Sequence, residues 1–393
     1  MTTQLIESFR IERETLWVRP CSAFGSRYLA DDFWVTYGED IDLESVTEAV
    51  ALMPFALNVA PVAWASGERW AVPELDAVQA ASLPAAREAF RRWYPDANWD
   101  GELEAERTSE MAGAAGPDVI IFSGGLDSTY SALSQPPGAT LLLLRGLDIA
   151  LDNGPGWARV RREAQALATR AGHRLVTAET SLKRHLRKDA VDLLHRGANG
   201  WWVQVQFGLA LAGVAIPVAA ATGGRRVLVP SSLSRHAMMP LGSAPEVEEN
   251  ARWSGGEVVH HGFELTRHDK LRWVLERCDE IGPVFLRVCY SIPHGAGGNC
   301  LSCEKCLRTA VALMIEGHDP LPFGLPIAPR EVENRLRDGF ESGRFERIEA
   351  LEPLWTDLRE RADEHPGLLS DGFRDWLVAH TSGSFAKDTL RVA

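Results

Sequence analysis

Two groups of residues have types and spacings that could do chemistry. The first is Ser123-Gly124-Gly125-Leu126-Asp127-Ser128, which follows the apolar run Val119–Phe122 and precedes a helical pattern over residues 128–133. Adjacent glycines let the backbone turn tightly and bring its N–H groups within reach of an oxyanion. A helix opening at Asp127 and Ser128 adds unpaired N–H groups and a positive dipole end, which suits phosphate. Ser123 and Ser128 supply hydroxyls to the same phosphates. Phosphate would repel Asp127, so this residue suits capping the helix and helping to hold Mg²⁺. The plain alternative is a bare structural turn.

The second group is Cys289, Cys300, Cys303 and Cys306, spaced C-x10-C-x2-C-x2-C. Four thiolates suit tetrahedral Zn²⁺, and a shell closed by four protein ligands is structural rather than catalytic. The same residues could hold an iron–sulfur cluster. Four of the six cysteines crowd into one short segment. A disulfide framework would instead spread them along a short secreted chain. Four buried free thiols are a poor reading at this density. Cys21 and Cys278 fall outside the pattern and read as core residues. His294 lies inside the loop and could replace one cysteine, although a surface histidine is the simpler reading.

The string SGGLDS after VIIF matches the signature SGGxDS, and the chain resembles the PP-loop ATP pyrophosphatase superfamily. It is not a Walker loop, because the Gly-Lys-Ser/Thr ending is absent, nor a Rossmann fingerprint, because the glycines are adjacent. The resemblance implies ATP cleaved between its α- and β-phosphates, an adenylated substrate oxygen and released pyrophosphate. It implies nucleotide contacts from Ser123, Gly124, Gly125, Leu126, Asp127 and Ser128, with Asp127 and Ser128 acting in catalysis.

With the cysteine module added, residues 119–320 resemble the 7-cyano-7-deazaguanine (preQ0) synthases of the queuosine route. Gly317-His318-Asp319-Pro320 stands where that family often has Gly-x-x-Asp-Pro. In that family a deazaguanine carboxylate is adenylated and attacked by ammonia to give an amide, and a second adenylation yields the nitrile. The chain departs from the family in three places. About 110 residues precede the loop. Val229-Pro230-Ser231-Ser232 and Pro240-Leu241-Gly242-Ser243 stand in place of the family's Asp-Tyr-Ser-Gly-Tyr-Pro-Asp-Cys, and Arg308 comes two residues beyond Cys306 rather than three. These departures touch the acceptor side and leave the ATP chemistry intact.

Elements must position these groups. Short apolar runs at 119–122, 140–145, 173–177, 226–230 and 258–261 alternate with helical patterns at 128–133, 157–171, 198–221 and 269–278. That alternation indicates an α/β fold with an open parallel sheet covered by helices on both faces. The resemblance makes it adenine nucleotide alpha-hydrolase-like. Residues 284–288 read as a strand delivering Cys289. The 393 residues exceed one average domain. Residues 1–110 read as a small α+β domain, a candidate substrate domain over the open edge of the ATP site. It has strands at 14–19 and 32–37, a hairpin of 55–65 with 69–72, and a helix at 83–94. Residues 98–117 read as a polar linker, 117–326 as the ATP domain, and 327–393 as a charged helical extension with an apolar stripe at Phe345, Ile348 and Leu351.

A formal charge of −13 lowers the expectation of a nucleic-acid partner, which normally meets a basic face. The N-terminus is charged from residue 7 onward with no apolar stretch behind it, which reads as cytoplasmic. The longest apolar run, 207–221, falls short of the ~18 residues of a membrane span and contains Pro217. An oligomer is compatible with all of this.

Other candidates come from position. Lys270 and Arg267 could neutralise the leaving pyrophosphate, or could be a solvated helix start capped by Asp269. His261 could carry a proton. Arg145 ends an apolar strand, where ligands of open parallel sheets bind, and joins the nucleotide-binding set; Ser231 and Ser232 deserve the same attention. Trp201 and Trp202 read as core, and Arg225 and Arg226 as surface charge. The combined expectation is an ATP-dependent, AMP-forming C–N ligase. It would adenylate a small-molecule carboxylate and pass it to ammonia or to an amine, including one on a peptide or protein. A tRNA-thiolating PP-loop enzyme and a non-catalytic nucleotide-binding subunit are the alternatives.

Overall fold

The computed structural model describes residues 2–38, 40–113, 115–197, 200–289, 298–345, 351–365 and 367–381. Its strands are β1 (Thr3–Gln4), β2 (Ile6–Ile11), β3 (Thr15–Pro20), β4 (Phe33–Tyr37), β5 (Arg69–Asp76), β6 (Glu102–Ser109), β7 (Val119–Phe122), β8 (Thr140–Arg145), β9 (Arg174–Thr180), β10 (Arg226–Pro230) and β11 (Glu257–His261). Eight of them form one sheet in the order β11-β10-β7-β8-β9-β4-β3-β2. Pairing is parallel from β11 to β9 and antiparallel from β9 outward, so the α/β sheet is mixed rather than wholly parallel. In the parallel part β8 and β9 follow on one side of β7, while β10 and β11 lie on the other. Chain direction around the sheet therefore reverses between β7 and β10, and a crevice forms there beyond the strands' C-terminal ends.

Alternating side chains of the central strands enter two cores. Val119 and Ile121 join Leu142, Leu144, Val227 and Val229 on one face, whereas Ile120 joins Leu141, Leu143 and Leu228 on the other. This period of two is what an extended strand requires when helices cover both sides. The first face is covered by the helices Glu48–Ala65 and Phe207–Thr222, which pack on each other. Gly213 makes that approach possible, because a Cβ there would lie 2.8 Å from the Met53 carbonyl. The second face carries the helices Leu126–Leu133, Gly154–Ala171, Arg267–Ile281 and Glu304–Ile315.

Three expectations for the N-terminal part are corrected. Residues 55–65 are not a hairpin strand but the end of the helix Glu48–Ala65, capped by Thr47 and buried at every position after Glu48. Residues 102–109 of the supposed linker form β6, parallel to β5, with Arg69 paired to Glu102 and Glu104 across the strands. Residues 1–110 are not a layer of their own. Strand β4 pairs with β9, and Leu16, Val35, Phe55 and Leu57 share one core with Val119 and Ile216.

Two helices, Glu48–Ala65 and Trp202–Thr222, are long and apolar enough to cross a membrane by length and composition, a length that the 207–221 run alone lacks. In this fold 94% and 72% of their apolar windows are buried inside protein. Beyond residue 327 the helices Pro329–Glu341, Glu352–Glu364 and Asp371–Thr381 place Leu336, Phe345, Leu351 and Trp355 in the second core. Ile348 of the expected stripe, and His294 of the cysteine loop, lie outside the described residues.

Candidate functional site

The phosphate-type loop sits at the crevice, between the end of β7 and the helix Leu126–Leu133. Gly124 takes a φ of 78°, the left-handed region that favours glycine, and so makes the turn. The two serines hold the loop's shape. Ser128 Oγ accepts from the Ser123 N–H at 3.2 Å and donates to the Gly125 carbonyl at 3.1 Å. The Gly125 N–H donates to Ser123 Oγ at 3.3 Å. The N–H groups of Leu126, Asp127 and Ser128 open the helix without intrahelical acceptors and are available to an anion.

A cleft of about 370 Å³ extends from this loop. That volume lies within the range of small-molecule sites, roughly 300–1,000 Å³. Its polar end holds Ser123, Asp127, Ser128, Arg267, Arg287 and Lys305, with Asp148 at the rim. Its apolar walls include Leu143, Leu144, Trp202, Phe207 and Val229, so one end suits phosphates and the other a flat or apolar group. The lining cations Arg267, Arg287 and Lys305 outnumber the carboxylates of Asp127 and Asp148 by one. The cleft is therefore locally positive in an acidic protein.

Asp127 lies at the centre of the charges. Its Oδ2 accepts from Arg267 Nη1, and its Oδ1 lies 4.0 Å from Lys270 Nζ with no hydrogen-bond partner among the described residues. Burial alone would raise the Asp127 pKa, but Arg267, Lys270 and Lys305 together hold the carboxyl below the usual carboxylate range. Lys270 is fully buried, donates to the Ser231 carbonyl at 2.6 Å and has its pKa lowered by burial. Burial, reinforced by Arg267, brings Lys305 down to about 8. Arg287 is tied to the loop itself. Its N–H donates to the Gly124 carbonyl and its Nε to the Ser123 carbonyl, both at 2.7 Å. Those bonds tie residue 287 to the loop, and residues 284–288 do not form the expected strand.

The structure brings Ser123, Gly125, Asp127, Ser128 and Arg267 together at the cleft, with Lys270 behind them. Ser232 and Trp202 also line it, whereas Trp201 is core, its Nε1 donating to Gln206 Oε1 at 2.7 Å. Trp202 is presented by a π-helical turn, Trp202–Gln206, where the Phe207 N–H reaches back to the Trp202 carbonyl. Arg145 does not line the cleft. Its register partner on β9, Glu179, takes its guanidinium at 2.8 Å, and its other end donates to the Leu151 carbonyl. His261 is held by Ser131 at 2.9 Å and stacks on Tyr130, away from the cleft lining. Sequence reasoning missed Arg287, Lys305 and Asp148. The available signal was that Arg287 and Lys305 stand two residues before Cys289 and directly before Cys306.

The four cysteines converge. Their Sγ atoms all lie within 4.8 Å of one another, with Cys289 to Cys303 at 4.0 Å and Cys300 to Cys306 at 3.9 Å. A disulfide needs about 2 Å, whereas four thiolates about 2.3 Å from a tetrahedral ion stand about 3.8 Å apart. The turn between Cys300 and Cys303 puts Leu301 at a φ of 58° and aims the Cys303 N–H at Cys300 Sγ, 3.2 Å away. Thiols donating to Cys289 hold it down to about 3, while the same crowding pushes Cys306 well up. Four sulfurs this close to one another are a donor set that can hold a metal ion. No protein-family model, no curated protein and no solved structure matches the chain, so its function is argued from this geometry.

Proposed function

We propose that the chain is an ATP-dependent, AMP- and pyrophosphate-forming ligase, a divergent PP-loop enzyme of adenine nucleotide alpha-hydrolase-like fold. The observation that carries the reading is the Ser123–Ser128 loop at the reversal point of the sheet, faced by Arg267, Arg287 and Lys305. The triphosphate lies against the loop N–H groups, and the base lies along the apolar wall. A substrate carboxylate oxygen attacks the α-phosphorus, the bond to the bridging oxygen breaks, and pyrophosphate leaves with the new negative charge. The loop donors and the three cations stabilise that charge. Asp127, whose Oδ1 has no hydrogen-bond partner among the described residues, would help hold Mg²⁺, which would supply further charge neutralisation. Ammonia or an amine then attacks the acyl adenylate, the C–N bond forms, AMP leaves and the nitrogen loses its proton to solvent. The four cysteines hold one Zn²⁺.

A second reading is favoured by one observation: Cys289 lines the cleft, which would set an iron–sulfur cluster beside the nucleotide, as sulfur transfer requires. The charge of −13 weighs against its tRNA substrate. Mass spectrometry of the protein with ATP and deazaguanine carboxylate, with and without ammonium, tests the acceptor. Amide or nitrile supports the ligase reading with this substrate; AMP with the carboxylate recovered unchanged shows ATP cleavage with water as the final acceptor and removes nitrogen transfer to this acid.

A further inference from the structure

The phosphate-type loop carries no lysine or arginine, so the positive charge facing it comes from other segments. Two of its cations belong to the cysteine module. Arg287 precedes Cys289 by two residues, Lys305 lies between Cys303 and Cys306, and both side chains line the cleft beside Cys289. The module is laced to the loop and to itself. Arg287 bonds the Ser123 and Gly124 carbonyls at 2.7 Å. Asn299, next to Cys300, accepts from the Val288 and Cys289 N–H groups at 2.9 and 3.2 Å and donates to the Leu286 carbonyl at 2.7 Å. Residues 286–289 and 299–300 are thus held at one relative position, and the four sulfurs meet beside them.

We infer that metal occupancy of the four-cysteine module sets the cleft's affinity for pyrophosphate groups, because the metal joins the segment carrying Arg287 to the segment carrying Lys305. Without a metal the junction is left to the Asn299 hydrogen bonds, so an empty module loosens it and moves one cation away from the other. Groups that hold a metal's ligands in place are coupled to metal affinity in the same way. Linkage is reciprocal: pyrophosphate must tighten metal binding by the factor by which metal tightens pyrophosphate. The inference rests on the nucleotide-cleaving reading only for the kind of anion bound.

The test is calorimetric titration of inorganic pyrophosphate into the full chain when zinc-loaded, chelator-stripped and reloaded. Stripping should weaken binding on the order of tenfold or more, the worth of one charge-assisted contact, and reloading should restore it. Since a stripped chain that unfolds would lose binding for a trivial reason, a second arm uses zinc-loaded Lys305→Met. Its metal content and melting temperature should match the wild type, its pyrophosphate affinity should fall by a similar factor, and pyrophosphate should no longer slow zinc loss to a chelator as it does in the wild type. Equal affinity in folded stripped and loaded chains overturns the inference, as does undiminished pyrophosphate protection of zinc in Lys305→Met. Metal-dependent pyrophosphate binding by a chain that never makes AMP from ATP would keep this inference and remove the ligase reading.

Discussion

Arg267 grips Asp127 across the reversal point of the sheet, from the first residue of the helix after β11 to the loop after β7, with side chains only 9% and 12% exposed. The pair joins the two halves of the parallel sheet at the place where the phosphates would sit.

Breaking that pair from one side leaves a charge nearly buried. Arg267→Met should destabilise the fold by about 2–4 kcal/mol, because truncating one partner of a buried pair strands the other. Asp127→Asn combined with Arg267→Met should lose less than the sum of the single changes, since neither charge remains. Urea unfolding of the four proteins measures this, and strictly additive losses would show that the residues are not coupled.

The readable parts of this site are local ones. Ser123–Ser128 can be recognised from six adjacent residues, and the central strands from short apolar runs of the right length. The helix Glu48–Ala65 hides because it is apolar on every side and contains Pro54 and Pro61, which erase the helical period. Strand β6 hides for the opposite reason, since Glu102, Glu104 and Glu106 make it look like a linker until Arg69 is found opposite. Arg145 ends β8, as its apolar run predicts, but its register partner Glu179 captures it, and register is not visible locally. Arg287 and Lys305 reach the cleft only through the cysteine turn, so their one local mark is their place beside Cys289 and Cys306.

Elemental analysis should find about one zinc per chain and no sulfide. Cys303→Ser should lower both zinc content and folding yield, since a site of four thiolates contributes folding energy. Iron with sulfide would move the thiolating reading ahead of the ligase.

Residues 1–105 should prove indispensable for folding. Their removal uncovers the face of Ile121, Leu142 and Val229 and strips the helix Phe207–Thr222 of its partner. Soluble yield and circular dichroism of the truncated chain check this; a folded, ATP-binding fragment would restore the separate-domain reading. A milder probe is Gly213→Val, expected to cost about 1–3 kcal/mol by forcing the two helices apart.

Stability should fall in mild acid through His185. The ring is fully buried beside Phe33 and Phe55, and burial pushes its pKa down to about 4 from an unfolded value of about 6.5. The unfolded chain therefore binds the proton first. His185's contribution is complete above about pH 6.5 and is lost as pH falls toward about 4. Between about pH 7 and pH 5 the loss should be about 2 kcal/mol, and His185→Leu should remove that part of the slope. Urea midpoints at the two pH values decide it, and an unchanged slope in His185→Leu would assign the acid sensitivity elsewhere.

The most direct measurement is phosphorus NMR of a turnover mixture containing ATP, Mg²⁺ and the carboxylate substrate, run with wild type, Ser123→Ala and Asp127→Asn. The wild type should yield AMP and pyrophosphate, and each variant should remain folded while turning over on the order of 10²–10³ more slowly, the usual effect of losing one preorganised stabilising group. Asp127→Asn keeps the side chain's size and removes the charge that Arg267 and Mg²⁺ share; the helix starts from Gly125 with no side-chain cap, so Asp127 is not the expected cap and no cap is lost. Signals of ADP and inorganic phosphate that disappear in Asp127→Asn would contradict adenylation outright.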